Sequence, residues 1–510
     1  MSDFQNNESL NNKIFYEGNR ILPLDYKYTV PPVDLLKKNQ TDTTDEKSAM
    51  EIETVRNRSQ AIEKTLLNFK YPAKVTGTVT SPTVTRYELS VDSKVNISKL
   101  KSILPTLKFV LNVESVRLIT TVNGTATLGL EIPNKNLGMA NIGDVIDSAE
   151  FTDASPSDLP IALGVNTENK PVVVSLKKTS HLLVTGATGM GVIPFLNTLL
   201  ISLTYKCGAD DLRLVLVDPV EVEFIKYKGI PQLYGGKIYS EYSEIDNVLT
   251  RILNEIDDRL MIFQSFQVRN AEEYNDTIDK SVNRKMPKIV LVINDIYHFT
   301  CQSTKIKNEF LNKLTRIMQK GRAAGVHVVL AVQENYLNTL PRSFMMNIPG
   351  VISFKTFYER SSRAVLNSNE ATLLCKNGDM LYKNPADIEL DRICLAYVSN
   401  DEVDAVTENV KANNVSYSES KSKWTDEING APLLNIIALK YVIEKQLASI
   451  STLQRNFHLG YSTAGRIIDW MEKNGYISAM DETHTRRILI TQEDFNKLYG
   501  MLDVDMEDLV

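Results

Sequence analysis

Between residues 171 and 400 the chain sets six short apolar runs, VVVSL, HLLVTGA, LRLVLVD, KIVLVIND, VHVVLAV and GVISFKT, among segments of helical period. A strand with one wet face alternates apolar and polar residues, whereas one that is apolar throughout must be covered on both faces. Continuous apolar strands separated by helices therefore predict an α/β fold, a doubly wound parallel sheet over 166–400. At 510 residues there is room for about two further domains.

The flanks read differently. AMEIETVRNRSQAIEKTLLNF has helical spacing, and AKVTGTVTSPTVTRYELSV and ESVRLITTVNGTATLGLEIP alternate as strands do, which predicts a small N-terminal α/β module over 46–165. Residues 1–45 are polar apart from ILPLDYKYTVPPVDLL, where Pro31-Pro32 favours an extended segment that docks on the body. Residues 401–430 read as a linker. Over 431–500, three helical stretches and a β-like close, YISAMDETHTRRILIT, have the layout of a winged helix, followed by an acidic tail at 501–510.

The formal net charge of −6 argues against a uniformly basic nucleic-acid binder but leaves room for a local basic groove. Cys207, Cys301, Cys375 and Cys394 are too scattered for a zinc site, so no metal cluster is expected, and they suit a reducing cytoplasm. The N-terminus lacks the apolar core of a signal peptide, and no apolar run is long enough to span a bilayer. A cytoplasmic chain without direct membrane insertion is expected.

The strand HLLVTGA runs into GATGMGVI, Gly186 to Ile193, which follows the phosphate-binding pattern G-x-x-x-x-G-K-[ST] in its glycines only. Gly186, Gly189 and Gly191 allow backbone N–H groups to turn toward an anion at the start of a helix. Val192 and Ile193 stand where the lysine for the β/γ-phosphates and the hydroxyl for Mg²⁺ belong. Four apolar residues or more in PKIVLVIND then lead to Asn294-Asp295, in the place of a Walker-B Asp-Glu. Asn294 brings no charge to a hard cation, and Asp295 is one methylene shorter than glutamate. Taken alone, a Gly-rich turn and a polar pair at a strand end are as readily a plain strand-to-helix turn and a helix cap.

Together with PPVDLL (31–36), SPTVTRYEL (81–89), VDPVEVEF (217–224), GRAAGVHVVLAVQ (321–333), NIPGVISF (347–354), NGDMLY (377–382) and STLQRNFHLGYSTAGRIIDWMEKNGYI (451–477), these segments resemble the FtsK/SpoIIIE family of DNA translocases, in family order. The resemblance implies an α module and a RecA-like motor domain of P-loop NTPase fold, stacked as a hexameric ring around double-stranded DNA. It also implies a tethered winged-helix γ domain, with ATP and Mg²⁺ as cofactors. The departures concentrate at the nucleotide site: Val192, Ile193, Asn294 and Asp295, with Val220 for the lysine of DPK, Val332-Gln333-Glu334 for Thr-Gln-Arg, and Val351 for an arginine. Gln333 remains as a catalytic candidate, and Arg322 and Arg363 remain as candidates to face a neighbour's site. Lys177, Lys178 and Lys320 are the lysines that a displaced phosphate contact would have to use.

In the winged helix, Ser462 is expected to cap a recognition helix that shows Ser462, Thr463 and Arg466 to the major groove, with Ile467, Ile468 and Met471 inward. Gln454, Arg455, His458, Arg486 and Arg487 are candidate phosphate contacts. The expected function is that of a DNA-binding ring protein deficient in hydrolysis, as a homo-hexamer or beside an active paralogue. The alternatives are an active translocase with a divergent site and a DNA-binding or scaffold protein outside any ring.

Overall fold

The structure is a computed structural model that describes residues 27–38, 45–91, 97–119, 127–278, 285–387, 389–414, 427–428, 431–457, 461–480, 486–492 and 494–495. The N-terminal module is a four-stranded antiparallel sheet in the order β1-β2-β4-β3, made of β1 (Ala73–Thr80), β2 (Val84–Val91), β3 (Arg117–Ile119) and β4 (Leu128–Pro133). Two helices, Asp45–Asn68 and Ile97–Leu111, cover it with Ile62, Leu66, Leu100, Ile103 and Leu107. The second helix is an addition to the sequence reading, although its buried residues recur at helical spacing.

The large sheet joins β5 (Ala140–Asn141), β6 (Pro160–Asn166), β7 (Pro171–Ser175), β8 (His181–Gly186), β9 (Leu212–Val217), β10 (Lys288–Ile293), β11 (Val326–Gln333), β12 (Gly350–Phe354), β13 (Asp379–Lys383) and β14 (Asp391–Tyr397). Its order is β7-β6-β14-β13-β12-β8-β11-β10-β9, with β5 on β14. From β12 to β9 every pairing is parallel, and from β12 to β7 every one is antiparallel. The doubly wound expectation thus describes five strands, flanked by an antiparallel wing in which short connections join only β6 to β7 and β13 to β14. Apolar side chains from opposite faces of the parallel strands feed two separate cores, as strands without alternation require: Leu182 and Val184 in one, Leu183 in the other.

Two boundaries differ from expectation. β6 pairs with β14, so the large sheet begins before residue 165, and Ile161 and Leu163 are buried in its core. The stretch expected as a linker opens with a helix, Asn400–Asn413, started by a capping box between Ser399 and Glu402. Val403, Val406 and Val410 anchor it at helical spacing; charged residues between them disguise the pattern.

The Pro31-Pro32 segment does dock. Tyr28 Oη donates to Thr204 O at 2.8 Å, Tyr205 Oη to Pro32 O at 2.9 Å, and Lys37 N to Glu402 Oε1 at 2.7 Å. A buried charge network fastens the N-terminal module to the large sheet: Arg392 reaches Asp379 at 2.6 Å and Glu131 at 2.9 Å, while Arg117 reaches Glu131 at 3.1 Å and Glu370 at 2.6 Å.

The C-terminal unit packs helices Leu433–Lys445, Ile450–Phe457 and Tyr461–Lys473 around Ile436, Leu439, Leu453, Ile467, Ile468 and Met471. An antiparallel bridge, Ile477 to Ile488, closes it as a winged helix. Among the described residues no helix is long and apolar enough to cross a membrane, and no group of His, Cys, Asp or Glu could hold a metal ion.

Candidate nucleotide site

β8 is fully buried and releases the chain at Gly186 into a loop that enters the helix Val192–Lys206 through Gly191. Gly189 and Gly191 have φ of 78° and 140°, where a side chain strains the backbone. A Cβ at Gly191 would lie 2.6 Å from the Phe354 ring, and one at Gly186 would lie 2.7 Å from Phe354 Cβ. Those two glycines are therefore required by packing against β12, whether or not a phosphate is ever bound. Ala187 N donates to Lys355 O at 2.9 Å and Met190 N to Ala187 O at 3.1 Å, so two N–H groups of the loop are already engaged. Val192 and Ile193 are half-buried against the core. Neither side chain can pair with a phosphate or a metal.

Asn294 leaves the end of β10 buried, and its Nδ2 donates to Asp218 Oδ1 at 3.3 Å. Asp218, fully buried at the end of β9, also accepts from Glu223 N at 2.8 Å and Phe224 N at 3.3 Å. Partial burial, with Asp218 nearby, raises the carboxyl pKa of Glu223. Asp295 is in the left-handed region at φ 58°, which aspartate tolerates better than most residues. Its Oδ1 accepts from Tyr297 N at 3.1 Å and its Oδ2 from Gln333 Nε2 at 3.3 Å. Gln333 Oε1 in turn accepts from Thr188 Oγ1 at 3.3 Å. The ends of β8, β11 and β10 are thus laced together by the predicted residues Gln333 and Asp295 with Thr188, a residue the sequence reading passed over.

Glu334 stands where the family pattern has an arginine. It is buried, and it accepts from Phe357 N at 2.9 Å and Tyr358 N at 2.8 Å, just before the helix Glu359–Leu366. A carboxylate is well placed at that positive helix end. Val351 is buried in the second core, and Val220 is exposed. Tyr297 and Tyr336 stack beside the site at 3.6 Å, a pair with no sequence signal beyond two tyrosines near strand ends.

The lysines are at the wrong end. Lys177 and Lys178 precede β8 and Lys320 precedes β11, so a strand of about 20 Å separates them from the loop. Lys177 pairs with Glu272 at 2.8 Å and Lys320 with Asp257 at 2.8 Å. Arg322 is exposed at that same far end, whereas Arg363, paired with Glu359 at 3.0 Å, follows β12 at the loop's end of the sheet. The two arginines therefore face opposite ends of the sheet.

In the winged helix the third helix begins at Tyr461, so Ser462 lies inside it and does not cap it. Ile467, Ile468 and Met471 point inward and Arg466 is exposed, as expected. Arg487 is exposed on the wing, but Arg486 turns back toward Glu472 at 3.5 Å. Gln454 is half-buried. The side chains of Arg455, Ser462 and Thr463, and all of His458, lie outside the described residues.

Three family models match the chain in order: the FtsK alpha domain over 30–134, the FtsK/SpoIIIE family over 141–315 and the FtsK gamma domain over 434–491. The DNA translocase FtsK of Clostridium acetobutylicum is 34% identical over 479 residues, which is 92% of this chain and 61% of that protein. FtsK of Haemophilus influenzae is 31% identical over 504 residues, 91% of this chain and 93% of that protein. SpoIIIE of Bacillus subtilis is 29% identical over 92% of this chain and 60% of its own length. The chain spans 61–66% of the length of several clostridial and related relatives. Among solved structures, the conjugation coupling protein TcpA aligns with a TM-score of 0.48 and 17% identity, over 70% of this chain and 99% of that one. Domain order, identity and coverage agree: this chain belongs to the FtsK/SpoIIIE family.

Proposed function

We propose that the chain is a double-stranded DNA-binding, FtsK-like ring protein that does not hydrolyse ATP and acts in the cytoplasm as a structural or regulatory subunit. One observation carries the reading: the positions that would hold phosphate and Mg²⁺ are committed to internal contacts, Val192 and Ile193 to the core and Asn294 to Asp218. Asp218, Asp295 and Glu334 gather at the ends of β9, β10 and β11, which further disfavours a triphosphate. Without the loop lysine, and with an amide at 294 in place of a carboxylate, several kcal/mol of transition-state stabilisation are missing, of order 3 for each lost contact.

The ring is either a homo-hexamer or a mixed ring in which an active paralogue supplies turnover. Arg322, at the sheet end opposite its own loop, is the arginine suited to face a neighbour's nucleotide. Arg466 and Arg487 are exposed cations that support duplex binding by the winged helix.

The test is binding of a fluorescent ATP analogue with Mg²⁺, alongside phosphate release with and without duplex DNA. Absent binding and release, with retained DNA binding, are expected. DNA-stimulated release would replace this reading with an active translocase of divergent site. A monomer under all conditions, with DNA or without, would leave a scaffold outside any ring.

A further inference from the structure

The two helices of the N-terminal module, Asp45–Asn68 and Ile97–Leu111, each turn one stripe toward their sheet: Ile62 and Leu66 on the first, Leu100, Ile103 and Leu107 on the second. The outward sides are not the plain polar surface that a helix of this kind usually shows to water. Ile52, Arg56, Lys64 and Leu67 are exposed on the first helix, and Ile97, Lys101, Lys108 and Phe109 on the second. Steps of four, eleven and fifteen residues return to nearly the same side of a helix. Ile52, Arg56 and Leu67 therefore share one stripe, with Lys64 at its margin. Ile97, Lys101 and Lys108 share the other, with Phe109 at its margin. Each helix carries two cations bracketed by large apolar side chains.

The four cations have no ion pair among the described residues. The second helix contains no acidic residue. On the first, Glu53 is exposed, while Glu63 is half-buried and accepts from Val75 N at 2.8 Å; Asp45, Glu46 and Glu51 precede Ile52. From Ile52 onward the outward face thus sets four cations against one acid, in a chain whose formal net charge is −6. Phe109 is 86% exposed, Ile52 68% and Leu67 62%, so packing within the chain does not account for them. Positive charge and protruding apolar side chains on one face complement a surface with phosphates above and hydrocarbon below.

We propose that this two-helix face rests on an anionic lipid bilayer, with Arg56, Lys64, Lys101 and Lys108 among the headgroup phosphates and Ile52, Leu67, Ile97 and Phe109 reaching below them. A nucleic-acid backbone would use the cations but has no place for four large apolar side chains, whereas a bilayer interface takes both. The contact is peripheral and needs no helix that crosses the membrane. It involves neither the nucleotide site nor the winged helix, and it does not depend on whether the chain forms a ring.

Co-sedimentation of the full chain with vesicles of phosphatidylcholine containing about one-third phosphatidylglycerol, and with phosphatidylcholine alone, tests the proposal. Binding to the anionic vesicles that weakens with added salt is expected, with roughly tenfold less protein on the neutral ones. Lys101→Glu combined with Lys108→Glu should lower partitioning roughly tenfold, and Phe109→Ser about threefold. Both variants should unfold at the temperature of the natural chain, because the side chains changed are exposed. Equal retention by the two kinds of vesicle, or undiminished retention of either variant, would overturn the proposal. If the lysine variant loses affinity for duplex DNA while still binding vesicles, the face belongs to DNA. If the variants change the sedimentation velocity of a chain that never binds vesicles, it belongs to a second copy. Either result likewise refutes the bilayer contact.

Discussion

Replacing Asn294 by aspartate restores a charge that the family pattern carries, and the structure says what it costs. Asn294 Nδ2 donates to Asp218 Oδ1 at 3.3 Å, and 6% and 0% of the two residues are exposed. Two carboxylates about 4 Å apart repel by about 4 kcal/mol at an effective dielectric near 20. The pair can escape by keeping one proton. Holding a carboxyl protonated at neutral pH against a reference pKa of about 3.9 costs about 4 kcal/mol, so both routes reach a similar ceiling. The sign follows from proton counts: the folded variant retains a proton that the unfolded chain has lost, so stability falls as pH rises above about 4. Below that pH both states are protonated, and the acid can donate to Asp218 as the amide does. Thermal unfolding followed by circular dichroism should show Asn294→Asp roughly 10 °C below the natural chain near pH 7.5 and close to it near pH 4.5. Asn294→Ala serves as the control, losing the hydrogen bond at about 1 kcal/mol with no added pH dependence. A deficit for Asn294→Asp that is flat with pH, or no larger than the alanine deficit, would refute the paired-carboxylate argument.

Arg392→Leu should destabilise the chain by about 3–5 kcal/mol, because it leaves Asp379 buried without its cationic partner and Glu131 with Arg117 alone; denaturant unfolding measures it. His181 and His327 are buried neutral, with pKa values lowered to about 4 and about 3 by desolvation. Unfolded histidine takes a proton near pH 6.5, so this contribution is complete above about that pH and is lost as pH falls toward about 4; His327→Gln should flatten the acid limb of the stability profile. Arg487→Ala should reduce the slope of log affinity for duplex DNA against log salt by about one, weakening all sequences alike, as fluorescence anisotropy across a salt series would report.

The parts of the fold that the sequence displays are those whose pattern has no competitor. Apolar runs such as LRLVLV and KIVLVI admit only a strand covered on both faces, and both are fully buried. The helix Asn400–Asn413 was hidden because Asp401, Glu402, Asp404 and Glu408 surround its three valines, and its signal is the Ser399–Glu402 capping box. The antiparallel wing was hidden for another reason: NGDMLY and DRICLAY are each compatible with a strand, but strand order depends on partners remote in sequence. At the candidate site, the glycines, Asn294, Asp295 and Gln333 were legible by position. Thr188, Asp218 and the Tyr297–Tyr336 stack emerge only when the ends of four strands are brought together.

Val192, Ile193, Asn294, Glu334 and Val351 each make a defined internal contact, whereas Val220 is exposed. Val192 and Ile193 pack on one core and Val351 on the other. Asn294 ties β10 to Asp218, and Glu334 holds the backbone of Phe357 and Tyr358. A site that had only decayed would leave small or solvated side chains around an open cradle, with buried polar groups unpaired. Here the polar replacements are hydrogen-bonded and the apolar ones are packed, while Gly186 and Gly191 persist because Phe354 leaves no room for a Cβ. Packing against Phe354 accounts for Gly186 and Gly191 without a bound nucleotide. Contacts that share the same strand ends are also coupled, so restoring one charged residue disturbs its neighbours before it supplies any chemistry.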